Sequence, residues 1–312
     1  MKLLTLFTAP KPFTNPHIAI IQRNALRSWI ALGDEVEVLM IGNESGMAEV
    51  AKELKIDHLP DVRINSNGTP LISSIFELGR QQNDSPYLAY VNADIILLPE
   101  LLDTIRLLGK AMSKYLMIGQ RWDLTIDRAL EIGVTWPGNI QEWVKKDGEM
   151  HPRTGSDFFV FPRGCFRQIP DFAVGRARWD NWMIYHARDS KYPVVDVTRS
   201  ITVIHQNHDY SHLPGGQTHY KLPESDENLK MAGGRRTVFQ LDDATHQVED
   251  GKIKRMQLSW KRFWREVEIW PLISLHSYKL GWLFFEILHP KDAFNELRGW
   301  WIYKNSQRKG KA

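Results

Sequence analysis

Two periods of hydrophobic and polar positions succeed one another along the first two hundred residues, which is the pattern of a sheet built from βα units. Leu3 to Phe7 is a short apolar run that reads as a strand. Asn15 and Pro16 then carry the start signals of a helix, along which Ile18, Ile21, Ala25, Trp29 and Ile30 approximate one apolar face. Glu35 to Ile41 predicts a second strand, followed by helices over Met47 to Leu54 and Leu71 to Arg80. Tyr87 to Val91 predicts a buried strand ending at Asn92-Ala93-Asp94, and Pro99 to Met112 a helix leading to a strand at Tyr115 to Ile118. Residues 120–155 mix tryptophans, glycines and charges and read as an insertion on the acceptor side rather than another βα unit. Beyond it, strands are expected at Phe158 to Phe161, Val194 to Val197 and Ile201 to Ile204, and a helix at Trp179 to Arg188. Residues 207–252 read as polar and loop-rich.

Composition narrows this picture. With 312 residues, 43% hydrophobic and 25% charged, the chain can bury a sizeable α/β core. Cys165 is the only cysteine, so one chain can build neither a disulfide nor a cysteine zinc site, and a reducing, cytoplasmic setting is expected. The opening MKLLTLFTAP has a minimal apolar run that passes into Pro10, Pro12 and Pro16, which favours a buried strand over a signal peptide. The net charge of +3 conceals an asymmetry: residues 252–312 hold 13 Lys/Arg against 5 Asp/Glu, together with six of the 12 tryptophans.

Asn92-Ala93-Asp94 is the most informative short motif. Hard divalent cations prefer carboxylate oxygens fixed at a strand end, which makes Asp94 a candidate ligand, although an Asx turn closing the strand would look the same in sequence. A second informative region is GSDFFVFPRG at 155–164 followed by GRARWDNWMIYHAR at 175–188. Asp180 there is either a general base or a helix N-cap. Trp179 and Trp182 flank it as rings able to stack on sugar faces, while Asp157 and Arg178 are polar groups able to meet a donor or an acceptor. Four histidines, His205, His208, His212 and His219, crowd into HQNHDYSHLPGGQTH, where Gly215-Gly216 offers the freedom of a lid.

In the order of these motifs, over roughly residues 1–215, the chain resembles the GT-A glycosyltransferases of the family 2 type, whose D-x-D or N-x-D element ends a central strand. The resemblance implies an α/β fold with a GT-A-like mixed sheet flanked by helices, here with an α-helical C-terminal appendage. It places the donor nucleotide against Thr8-Ala9-Pro10 after the first strand, Asn43 and Glu44 after the second, Thr69 at a helix opening, and Asn92, Ala93 and Asp94. It makes Asp94 and His205 metal ligands, Asp180 the base beneath the acceptor pocket, and Asp157, Arg178, Trp179 and Trp182 the acceptor side. An imidazole beside a carboxylate favours manganese over magnesium.

The expected activity is therefore inverting transfer of a sugar from a UDP- or GDP-type sugar to a hydroxyl of a glycan or lipid-linked acceptor. A non-catalytic carbohydrate- or sugar-nucleotide-binding protein and a nucleotidyltransferase are the alternatives. The latter is disfavoured because no Gly-rich phosphate loop follows the first strand. Two regions are expected, a catalytic one at 1–220 and a helical, basic, Trp-rich one at 221–312. The second region carries no run near the ~20 apolar residues that span a bilayer, and its mixture of Trp, Tyr, Lys and Arg suits peripheral contact with anionic membrane through 254–312, at the cytoplasmic face. No motif for nucleic acid is present.

Overall fold

The computed structural model describes residues 2–208 and 222–291, and five single positions beyond them (294, 295, 297, 298 and 301). Strands β1 (Leu4–Thr8), β2 (Val36–Ile41) and β3 (Asp57–Leu59) alternate with helices α1 (Pro16–Ile30) and α2 (Met47–Leu54). Then follow α3 (Ile72–Gln81), β4 (Tyr87–Val91), β5 (Ile95–Leu97), α4 (Glu100–Ala111), β6 (Leu116–Ile118), β7 (Trp122–Leu124), α5 (Trp136–Asp147), β8 (Glu149–Met150) and β9 (Phe158–Pro162). The chain continues through α6 (Trp179–Asp189), β10 (Val194–Asp196), β11 (Val203–Gln206), α7 (Pro223–Met231), β12 (His246–Glu249), β13 (Lys252–Arg255), α8 (Trp260–Ser274) and α9 (Tyr278–Leu288).

Among the described residues nine strands form one mixed sheet, ordered β13-β12-β10-β6-β9-β4-β1-β2-β3. β1 lies parallel to both β2 and β4, and β9 runs antiparallel to β4 and β6. All five residues of β1 and of β9 are buried, as strands covered on both faces must be; β9 is apolar throughout, and β1 is interrupted only by the buried Thr5 and Thr8. A second sheet, β5-β11-β7-β8, stands beside the first. β4 belongs to the large sheet and β5 to the small one, so the turn Asn92-Ala93-Asp94 joins the two. α1 holds that junction from below: the buried Trp29 indole donates to the Ile95 carbonyl at 2.9 Å, and the buried Asn24 amide donates to Gln206 on β11 at 3.0 Å.

Several expectations need correcting. The region 120–155, read as an insertion, supplies β7, α5 and β8, and packs Leu124, Trp136, Ile140 and Val144 into a core with Ile96 and Ile204. The span 207–252 contains α7 and β12 and ends at the first residue of β13, and β12 pairs in parallel with β10, so the large sheet extends past the boundary expected at residue 220. The chain divides into compact units at Met1–Met256 and Gln257–Ala312. Ile30 is exposed rather than part of the buried face of α1, which instead buries the polar Gln22, Asn24 and Ser28. In the second unit α8 and α9 pack on each other, with Gly281 of α9 set against Leu272 of α8. No helix among the described residues is long and apolar enough to cross a membrane.

Candidate functional site

β1, β2 and β4 run in one direction, and a cavity of about 780 Å³ opens beyond their carboxyl ends, the place where open α/β sheets collect ligands. Ala9, Pro10, Glu44, Thr69, Asn92, Ala93 and Asp94 line it, as do Asp157, Arg178, Trp179, Asp180 and His205. Three expected site residues stand off its wall. Thr8 is fully buried as the last residue of β1, and Asn43 is exposed outside the cavity. Trp182 is buried with its ring stacked on His186 at 4.5 Å and edge-on to Phe172, so no face remains for a sugar. Trp179 reaches the cavity but spends most of its ring among Tyr90, Phe159 and Phe76. His212, His219 and Gly215-Gly216 lie outside the described residues.

Asp94, His205 and His208 bring ligand atoms within 4.8 Å of one another. His205 and His208 leave the end of β11 three residues apart, and β11 is antiparallel to β5, which begins directly after Asp94. Asp94 Oδ2 lies 3.1 Å from His208 Nε2 and 3.6 Å from Lys11 Nζ. Its other oxygen, Oδ1, is buried without a hydrogen-bond partner among the described residues, and a cation at the site would satisfy it by coordination. Burial pushes the Asp94 carboxyl up, but the hydrogen bond from His208 and the charges of Lys11, His205 and His208 outweigh it and hold the group well below the usual carboxylate range. One carboxylate and two imidazoles fit a divalent first-row transition ion better than magnesium, which favours an all-oxygen shell.

Behind this cluster lies a network that the sequence did not announce. Asp123 on β7 accepts from His205 Nδ1 at 3.0 Å and from His151 Nδ1 at 2.7 Å, which turns His205 Nε2 away from Asp123. Arg121 bridges Asp123 and Asp157, and the Asn92 amide donates to the other Asp157 oxygen at 2.9 Å. Burial opposes ionisation of Asp123, yet the histidine hydrogen bonds and the Arg121 charge keep it far below its ordinary value. The main chain repeats the link, since Asn92 N–H donates to the Asp157 carbonyl. Asp157, expected on the acceptor side, thus has both oxygens engaged.

Asp180 differs in every respect. It is the second residue of α6, not its N-cap; Arg178 holds that position with φ of 92° and no side-chain cap. The Asp180 carboxylate accepts from the Arg178 backbone N–H at 3.2 Å. Desolvation raises its pKa to about 6, with backbone N–H groups of Asn181 and Arg178 pulling down and the Asp157 charge pushing up. Arg178 adopts the left-handed region that a non-glycine residue rarely occupies, a strain of the kind that accumulates at working sites. On the far wall, α7 ties two cavity loops together: buried Glu224 accepts from Asn65 at 2.7 Å and from Arg176 at 2.6 Å.

No family model matches the sequence, and no curated protein matches it. Solved structures do. S. aureus TarS 1-349 in complex with UDP-GlcNAc superposes with a TM-score of 0.50 at 12% identity, over 74% of this chain and 65% of that one. The same TarS segment without that ligand gives 0.42 at 11% identity, over 74% and 64% of the two chains. A Desulfovibrio desulfuricans G20 protein, described provisionally as a nucleotide-diphospho-sugar transferase, gives 0.40 at 11%, over 64% and 80%. The comparison rests on the first of these, and this chain spans about two thirds of the TarS segment. At such identity the likeness is one of fold: the chain has the GT-A-like mixed sheet flanked by helices that its sequence implied.

Proposed function

We propose that this protein is a metal-dependent glycosyltransferase that moves a sugar from a nucleoside-diphosphate sugar to a hydroxyl of a glycan or lipid-linked acceptor. The observation that carries the reading is the meeting, on one cavity of a GT-A-like fold, of the Asp94, His205 and His208 cluster with a separate carboxyl, Asp180, whose pKa is raised to about 6. Such a division suits transfer from a diphosphate. The anionic leaving group calls for a cation, and the acceptor hydroxyl calls for a base titrating near the working pH.

In this reading Asp94, His205 and the additional His208 would hold manganese, which neutralises the departing diphosphate. Asn92 and Asp157 brace the turn that carries Asp94, and Asp123 fixes the His205 ring. Ala9, Pro10, Glu44 and Thr69 face the donor, while Arg178 and the edge of Trp179 face the acceptor. Asp180 takes the proton of the attacking hydroxyl. A single base opposite the leaving group gives inversion at the sugar carbon. The donor is of UDP or GDP type, and the UDP-GlcNAc bound by the TarS structure makes UDP-sugars the first to test.

The test is thermal stabilisation by UDP and GDP, with and without manganese. A ligand at one hundred times its Kd adds about 2.7 kcal/mol to the folded state, which is visible as a raised Tm. Asp94→Asn keeps the shape of the turn and removes the charge. It is expected to abolish the manganese-dependent part of the shift while leaving the unliganded Tm within a few degrees. Manganese dependence unchanged in Asp94→Asn would remove Asp94 from the metal site.

A further inference from the structure

A lysine occupies the candidate metal cluster. Lys11 Nζ stands 3.1 Å from His208 Nε2 and 3.6 Å from Asp94 Oδ2, the same two side chains that would grip a divalent ion. The position is built. Buried Gln22 of α1 holds the Lys11 backbone from both sides, accepting from its N–H at 2.7 Å and donating to its carbonyl at 2.9 Å. The stem is thus anchored where the loop after β1 enters the cavity, while the ammonium at its end remains partly exposed and able to swing.

Two cations cannot share those atoms, because like charges at contact repel strongly in a partly desolvated site. A divalent ion entering the cluster therefore displaces the ammonium. The anchored backbone keeps the displaced Lys11 inside the cavity, where a dianionic ligand held by the ion is the nearest new partner. We infer that Lys11 exchanges partners: it neutralises Asp94 in the empty site, and it pairs with the donor diphosphate once the metal is bound. This inference rests on the reading of the site as one for a nucleoside diphosphate. It assigns to Lys11 two effects of opposite sign, competition with the free metal and cooperation with the nucleotide.

That opposition is the test. Calorimetric titration of the full chain with manganese alone reads the competition, and titration with UDP and GDP, in EDTA and in manganese, reads the cooperation. Lys11→Gln is expected to bind manganese alone about fivefold or more tightly than the wild type, in the range usual for coupled ligands. The same variant is expected to bind the nucleoside diphosphate roughly 10- to 100-fold more weakly in manganese, the loss typical of a charge-assisted hydrogen bond, and to differ little from the wild type in EDTA, where Lys11 stays on Asp94. Lys11→Arg, which keeps the charge, restores nucleotide binding in large part. Affinities that move together, or manganese affinity that stays unchanged, overturn the exchange. Nucleotide binding that ignores Lys11→Gln overturns the assignment of Lys11 alone, whereas a wild-type chain that takes neither UDP nor GDP under any condition overturns the reading of the site.

Discussion

At the scale of single residues, the two aspartates of the cavity have been driven in opposite directions by their surroundings. Asp94 is held ionised by His208, Lys11 and His205, as a ligand must be, whereas desolvation lifts Asp180 to about 6. The folded chain therefore holds the Asp180 proton more tightly than the unfolded chain, whose carboxyl titrates near 3.8. Relative to acid solution, this group costs stability as pH rises from about 4 to 6, reaching about 3 kcal/mol above that window. Asp180→Asn is thus expected to be neutral at pH 4 and to raise the Tm at pH 8. Activity should move the other way. Wild-type transfer at saturating acceptor rises through pH 6 as the base deprotonates, while Asp180→Asn falls by about 10²- to 10⁴-fold and loses that inflection. A variant that keeps most of its rate, or keeps the inflection, is incompatible with Asp180 as the base.

At the scale of elements, one wall of the cavity depends on how closely α3 lies on β1, since α3 follows the loop that carries Thr69. Gly79 of α3 permits that approach: a Cβ there would meet the ring of Phe7 at 2.7 Å. Phe7 is fully buried and wedged edge-on between Phe76 and Tyr90, so its ring has no room to yield. Alanine would gain about 1 kcal/mol in helix propensity, but overpacking a core costs about 1–3 kcal/mol. Gly79→Ala should therefore lower the Tm by a few degrees and weaken nucleotide binding; a stabilised variant would show that α3 shifts freely on the sheet. The elements legible in the sequence were those of this kind, where a helix or strand reports its own burial by period. β1, α1, α3, β4 and β9 fall within two residues of their expected ends. β7 and β8 were missed because they are short and interrupted by polar residues, unlike the apolar runs that announced the equally short β6 and β10, and β5 was missed because it follows β4 after a turn of only three residues. The buried Asn24 and Gln206 were missed because polar residues report burial only through partners distant in sequence. The same reason hid part of the site. Asp94 and His205 stand at recognisable strand ends, but Asp123, His151 and Lys11 join them only across the small sheet and the β1 loop. His208 did carry a signal, its spacing of three from His205.

At the scale of the whole molecule, charge and exposed apolar surface are both concentrated in the second unit. Residues 257–312 carry ten Lys/Arg against five Asp/Glu. Trp260, Trp264, Trp270, Trp282, Leu283 and Ile287 are exposed there, on helices capped by Ser259 and Ser277. α9 has 11 residues and extends about 16 Å, half the ~30 Å of a hydrocarbon core, so it suits lying in an interface rather than crossing it. Tryptophan and tyrosine prefer the headgroup level and lysine attracts anionic lipid, so we propose that this unit meets an anionic membrane, where a lipid-linked acceptor would be found. Flotation of the full chain with vesicles of phosphatidylglycerol and phosphatidylcholine, beside phosphatidylcholine alone, tests the idea. Binding is expected only with the anionic mixture and should fall between about 0.1 M and 1 M salt, as the screening length drops from about 10 Å to 3 Å. Lys279→Glu reverses one exposed charge, and at about 1 kcal/mol per basic residue near the surface it should weaken binding by roughly tenfold or more. Trp282→Ser should weaken it at every salt concentration, because the loss is of apolar insertion rather than of charge. Neither variant should alter nucleoside-diphosphate binding, since both lie outside the unit that contains the cavity. Equal binding to neutral vesicles would remove the electrostatic part of the proposal, and a chain that floats with neither vesicle but forms dimers at rising concentration would assign the exposed tryptophans to contact between copies of the protein.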